Sequence, residues 1–68
     1  MKIIYFPDTD TANLEFSDLP VYETKEINED IYIDLDENGN LINMTIEHAN
    51  AKAGLTEFSY QEAKAKVA

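Results

Sequence analysis

The chain has no cysteine, no tryptophan and no arginine, and it contains only two glycines and two prolines. Without cysteine, disulfide scaffolds, cysteine-based zinc sites and thiol catalysis are all excluded. The five lysines are outnumbered by 14 acidic residues, which gives a formal net charge of −9. Because nucleic acids and anionic membranes are bound through clustered cations, this balance argues against both as partners. A basic protein is the partner that the charge favours.

Long hydrophobic runs are also missing. The apolar run at residues 3–6 is far shorter than the roughly 18 residues that a membrane-spanning helix needs. No secretory signal is visible at the N-terminus, so we expect a cytoplasmic protein without a membrane segment. A chain of 68 residues is expected to form one small domain over 1–68. Its core should supply only about 3–5 kcal/mol of stability.

Apolar and polar residues alternate through the first two thirds of the chain, and this pattern predicts β-strands. The predicted strands span residues 2–6, 12–16, 21–27, 31–35 and 41–47. The third carries polar residues on both faces, which suits an edge or exposed strand. Asn38-Gly39 between the last two strands is a strong hairpin signal. The sequence therefore predicts an antiparallel β-meander over residues 2–47.

The composition changes after Glu47 and predicts a helical tail over residues 48–68. Its first part is rich in alanine and ends at Gly54, a common helix stop. Ser59 and Glu62 form a capping box, which predicts a second helix over residues 60–68. A helix under about 12 residues is marginal in water, so this one must dock on the sheet or fray. The expected fold class is α+β, with the helical segment packed on one face of the meander.

Asp34 and Asp36, followed by Asn38 and Gly39, match the first half of an EF-hand calcium loop. The twelfth position of such a loop requires a bidentate glutamate, and here it is Thr45. The flanking segments also read as strands rather than helices. A polar hairpin turn is therefore the favoured interpretation, with weak calcium binding as the alternative.

Two other places could hold an ion or carry acid–base chemistry. Asp8 and Asp10 lie two residues apart in a predicted turn, where aspartate is common as a simple turn former. Glu47 and His48 end the last strand, and histidine is both a frequent metal ligand and a group that titrates near neutral pH. No second histidine is present to complete a metal site. We therefore expect no catalytic residues, no metal and no cofactor, with a metal-assisted acid–base enzyme as the less favoured alternative.

A run of acids in and after the third strand is the candidate interaction face. It consists of Glu23, Glu26, Glu29 and Asp30. The simplest interpretation is a solvated face, and the functional one is a docking surface for a basic partner. The sequence thus favours a non-catalytic protein-binding module. A structural domain that forms a homodimer to cover its apolar face is the alternative, since small domains often require oligomerisation.

Three patterns occur here in a recognisable order. They are Tyr5 followed by Asp10, Asp34-x-Asp36-x-x-Gly39, and Ile46-Glu47-x-x-x-Ala51. Over about residues 1–54 the chain resembles a family of short bacterial and archaeal proteins, domain of unknown function 2283. That resemblance implies no settled activity. It does imply an arrangement in which members are encoded beside another small protein, so that this chain would be the antitoxin-like half of a two-gene pair.

The chain departs from that family pattern in its second strand. Ala12 and Asn13 stand where the family has larger apolar or aromatic residues. These two residues predict that the second strand is weakened or that a gap lies over it. A binding surface on the second strand is therefore not expected.

Overall fold

The computed structural model describes residues 1–54 and 57–64. Within them the chain forms one five-strand antiparallel sheet followed by a short helix, which confirms the predicted α+β class. The elements are β1 Lys2–Phe6, β2 Thr11–Glu15, β3 Glu23–Asn28, β4 Ile31–Leu35, β5 Leu41–Glu47 and α1 Ala49–Ala53. Three strand ranges agree with the predicted ones, and the other two differ by two residues or fewer at each end.

The strands lie in the order β1-β2-β5-β4-β3. The sheet is meander-like, but it departs from a simple meander because β2 pairs with β5 and not with β3. Strands β3, β4 and β5 form a three-strand meander, and the β1–β2 hairpin joins it through β5. In that junction Ala12 is opposite Ile46 and Leu14 is opposite Met44. Strands β1 and β3 are the two edges of the sheet, so the prediction of an edge position for the third strand is confirmed.

The β4–β5 hairpin is closed by Asp36, which is only 7% exposed. Its Oδ1 accepts hydrogen bonds from the backbone amides of Asn38 and Asn40, at 2.9 and 2.8 Å. Gly39 has a φ of 82°, a left-handed conformation that glycine adopts without steric cost. The Asn-Gly signal therefore marks a real hairpin turn.

Helix α1 follows β5, and the residues on either side of the helix both have left-handed backbone conformations. His48 at its start has a φ of 55°, and Gly54 at its end has a φ of 61°. The amide of Gly54 donates to the carbonyl oxygen of Asn50, which closes the last turn. Helix α1 packs against β2, and both Ala12 of β2 and Ala49 of α1 are completely buried. The small side chain at Ala12 thus leaves β2 intact and lies in the most buried part of the sheet.

The predicted second helix is not formed in residues 60–64, which are exposed and non-helical. Phe58 and Tyr60 are 62% and 79% exposed, so neither side chain is docked on the sheet. Residues 65–68 of that predicted helix lie outside the described residues. The capping box alone does not stabilise so short a helix, because nucleation is costly and no packed face compensates for it.

One face of the sheet, called the apolar face below, consists of two rows of side chains, of which one crosses all five strands and the other crosses four. One row runs Ile3, Leu14, Met44, Ile33 and ends at Lys25. The other comprises Tyr5, Ala12, Ile46 and Ile31. Most of these side chains are half-buried, and in the part of the chain that is described no second layer covers them beyond α1 at one end. No helix within residues 1–54 and 57–64 is long and apolar enough to span a membrane.

Candidate functional site

Asp10, in the β1–β2 turn, holds the start of α1. Its backbone carbonyl accepts the amide of Ala49 at 2.9 Å, and its Oδ1 accepts the amide of Asn50 at 2.9 Å. The same Oδ1 accepts the hydroxyl of Tyr5 at 2.6 Å. The Tyr5 hydroxyl and the Asn50 amide together lower the pKa of the Asp10 carboxyl. Asp10 is therefore a helix anchor whose acceptor sites are already used.

Asp30, in the β3–β4 turn, holds α1 from the other side. Its carboxylate accepts Nζ of Lys52 and lies 2.9 Å from Nδ1 of His48. The Lys52 ammonium, and then His48, lower the pKa of Asp30, and Asp30 in turn raises the pKa of Lys52. The Asp30 carbonyl also accepts the amide of Glu47 at 2.7 Å. Two turns from opposite halves of the sheet thus meet across α1.

His48 and Asp10, two of the side chains considered for acid–base chemistry, are used in these structural contacts. His48 faces Asp30, while the Asp8 side chain is exposed in the turn before Asp10. Asp8 and Asp10 therefore do not form an isolated carboxylate pair, since Asp10 is committed to α1. Among the described residues no group of three or more histidine, aspartate or glutamate side chains is arranged to hold a metal ion.

The carboxylates of Asp34 and Asp36 have different hydrogen-bond partners. Asp36 is turned inward to the hairpin amides, and its pKa is lowered, first by the Asn40 amide. Asp34 lies on the opposite face from the apolar rows, where it accepts hydrogen bonds from the hydroxyl of Thr24 at 2.6 Å and from the side-chain Nδ2 of Asn43 at 3.4 Å. The two carboxylates that began the EF-hand-like pattern are thus used in separate hydrogen-bond networks.

The candidate interaction face is distributed along one edge of the sheet. Glu23 is opposite Leu35, and Glu26 is opposite Tyr32, so these two acids alternate between the two faces of β3. Glu29 and Asp30 lie in the following turn. Glu23, Glu26 and Glu29 are exposed, whereas the Asp30 side chain is 13% exposed, forms an ion pair with Lys52 and contacts His48. Within the described residues Glu23 and Glu26 have no ion-pair partner, whereas a carboxylate oxygen of Glu29 lies 3.9 Å from Nζ of Lys52. The four acids therefore do not form one continuous face.

The charges of the sheet are segregated. Glu15, Glu26, Asp34 and Glu47 all lie on the face opposite the apolar face. Crowding of this negative charge raises the pKa of Tyr32, with Glu47 as the largest cause. The apolar face carries a charged residue only in β3, where its rows end. Away from β3, where Glu23 and Lys25 lie on this face, it is the surface on which a partner could bury side chains without desolvating a carboxylate.

Sequence reasoning did not anticipate the roles of Asp10 and Asp30 as anchors. The spacing of Tyr5 and Asp10 was visible, but it indicated only a turn. The contacts of Asp10 with α1 join residues 40 positions apart in the chain, and those of Asp30 with Lys52 join residues 22 apart. One sequence signal could have indicated the Asp30 contacts. His48 and Lys52 are four residues apart in the predicted helical segment, so both side chains lie on one side of it.

The chain was compared with known proteins and families. A family model described as protein of unknown function DUF2283 matches residues 2–50. No curated protein and no solved structure matches significantly. Since the match covers most of the chain, the protein belongs to the DUF2283 family.

Proposed function

Because that family has no assigned activity, we propose a function from the surface: a non-catalytic protein-binding module that docks a basic protein on its apolar face. An antitoxin-like half of a two-gene pair is the biological form that we propose for it. The observation that supports this is the apolar face itself. It belongs to a sheet that has no second layer in the described part of the chain. We propose the cytoplasm as its compartment, since the chain has no cysteine with which to reinforce a small core under oxidising conditions.

The burial of the apolar face is incomplete. Among the described residues only three apolar ones are buried, namely Ala12, Ile42 and Ala49, and no large side chain is fully buried. Sheets normally bury their apolar face against another layer. Each Å² of apolar surface removed from water contributes about 25 cal/mol. Residues 1–54 and 57–64 do not supply a second layer over most of this face. A partner bound there would supply it and would bury apolar surface in doing so.

The charge around the apolar face selects the chemistry of the partner. Exposed acids surround it in the turns and along the β3 edge: Asp8, Asp18, Glu23, Glu29 and Glu37. The face itself contributes only Lys25 as a cation. An amphipathic segment with an apolar stripe and flanking lysines or arginines complements this arrangement. Complementary charge speeds the encounter and disfavours wrong partners, and it does so most strongly at low salt.

Neighbouring residues of β5 provide a matched test. Met44 lies on the apolar face and Thr45 on the opposite one, and both are half-buried. The chain is co-expressed with the product of the neighbouring gene and purified through a tag at low salt. We expect the wild type and Thr45→Glu to co-purify with that protein, and Met44→Glu to lose it. Circular dichroism checks that both variants keep the sheet. Absence of a complex at low salt, or equal binding by both variants, would contradict the proposal.

A homo-oligomerising domain is the second candidate, and it is favoured because no large side chain of residues 1–54 and 57–64 is fully buried. In this case a second copy would cover the apolar face, with the acidic faces of both sheets turned outward. Light scattering over micromolar concentrations separates the candidates. A dimer that Met44→Glu dissociates and Thr45→Glu preserves supports self-association through this face. A monomer at every concentration excludes it.

A further inference from the structure

The two edges of the sheet differ, and the difference points to a second interaction surface. We infer that the outer edge of β1 pairs antiparallel with β1 of a second copy of this chain. The pairing would join two sheets into one continuous sheet of ten strands. It uses the backbone of Lys2–Phe6 and is independent of any partner on the apolar face.

Edge strands are usually protected against pairing by charges or by irregular backbone. Strand β3 has both protections, because three of its six residues are charged and its register with β4 shifts between Glu26 and Asn28. Strand β1 has less protection of both kinds. Its one charged residue, Lys2, stands at its first position, its register with β2 is continuous over five pairs, and the nearest proline, Pro7, lies outside the strand. Its exposed edge is thus the one on which backbone hydrogen bonds can be added.

Charge explains why a second copy suits this edge. Of the five strands, only β1 contains no acidic residue. Two chains of net charge −9 repel each other, so they meet at the least electrostatic cost where neither presents a carboxylate. A strand rich in isoleucine and aromatic residues also has high β-propensity. No other strand edge combines these properties.

The register follows from the symmetry of an antiparallel pair. If the two-fold axis passes through Ile4, each Ile4 faces its counterpart, and each Lys2 faces Phe6 of the second copy. Asp8 of the second copy follows that Phe6 by two residues, in the turn after β1, which brings its carboxylate to the end of the pair where the long Lys2 side chain lies. Both residues are exposed, and neither has an ion-pair partner within the described ranges. The dimer would form this pair twice.

A charge-swap experiment tests that pairing. Dissociation constants are measured by sedimentation or light scattering at low salt. We expect Lys2→Asp and Asp8→Lys each to weaken the dimer by roughly threefold to tenfold, as two exposed ion pairs are lost. The double variant should restore it. Lys25→Asp in β3 makes the same charge change as Lys2→Asp and should leave the dimer closer to wild type.

The absence of cysteine allows a clean second test. Ile4→Cys places two thiols opposite each other in the proposed dimer, within range of a disulfide or a short bridging reagent. We expect rapid cross-linking for Ile4→Cys and little for Lys25→Cys or Met44→Cys. A monomeric wild type, no rescue by the double swap, or faster cross-linking through Met44→Cys would each overturn the β1 pairing. None of these results removes the docking proposal, which is tested by Met44→Glu against Thr45→Glu.

Discussion

The hydroxyl of Tyr5 donates a hydrogen bond of 2.6 Å to Oδ1 of Asp10, five residues later in the chain. Tyr5 belongs to the apolar face, and Asp10 also accepts the amides of Asn50 and Ala51. This contact therefore connects the edge strand, the first turn and the helix. The spacing of Tyr5 and Asp10 has a structural consequence: it fixes α1 at the end of the sheet.

Removing the hydroxyl should loosen α1 without unfolding the sheet. In Tyr5→Phe the Asp10 carboxylate loses its shortest donor and should hold the helix start less rigidly. We expect a lower melting temperature and faster hydrogen exchange at the amides of Asn50 and Ala51. Tyr22→Phe is the control, because Tyr22 is 73% exposed. Equal exchange in both variants would show that Tyr5 does not position the anchor.

Acid should destabilise the fold through three aspartates. The pKa values of Asp10, Asp30 and Asp36 are lowered in the folded chain by hydrogen bonds, and for Asp30 by Lys52 above all. Their stabilisation is complete above the unfolded pKa of about 4 and is lost as the pH falls through the lower folded values. We expect stability to decline below about pH 4 when unfolding is followed by circular dichroism.

The control for this acid effect is Asp30→Asn. That variant should lose stability at neutral pH and show a weaker dependence on acid, because one of the three linked protonations is removed. An unchanged pH profile would contradict the assignment of Asp30 as an anchor of α1.

Truncating Ile42, the most buried large apolar side chain of the described residues, should cost much of the total stability. Ile42 is 4% exposed, and its carbonyl accepts the amides of Phe16 and Ser17. Ile42→Ala is expected to lower the free energy of unfolding by about 2–5 kcal/mol. This is comparable with the whole stability of about 3–5 kcal/mol expected for so small a core. Ile27→Ala, at a position 56% exposed, should cost far less in urea denaturation.

A side chain at Gly39 should strain the β4–β5 hairpin. Its φ of 82° is disfavoured for residues with a Cβ, although no atom lies within 4 Å of the place where a Cβ would be. We expect Gly39→Ala to lower the free energy of unfolding by about 1–2 kcal/mol, from backbone strain alone. Gly39→Asn should cost less, since asparagine tolerates this region better. If both variants matched the wild type in thermal unfolding, the turn would not adopt this conformation.

Local sequence signals predicted the elements whose formation depends on nearby residues. The hairpin from Ile31 to Glu47 followed from alternation and from Asn38-Gly39, and the stop at Gly54 marked the end of α1. The capping box at Ser59 failed as a helix signal in residues 60–64. In that case the local signal was present, but the packing that a short helix needs was not.

The candidate site was predicted less well, because its geometry depends on contacts between distant residues. The acids of the β3 edge were identified, yet their division between two faces appears only with the register of β3 against β4. Asp10 was recognised as a turn residue, and its bonds to α1 required the turn and the helix to meet in space.

The sequence by itself determined which segments are strands, the excess of negative charge, and the exclusion of thiol chemistry. These properties are local or compositional, so alternation, turn residues and residue counts are enough to establish them. Only the tertiary structure decided that β2 lies against β5, that Asp10 and Asp30 hold α1, and that carboxylates and apolar side chains occupy opposite faces. Those features depend on which strands pair and in which register, and that is set by the burial of side chains far apart in the chain.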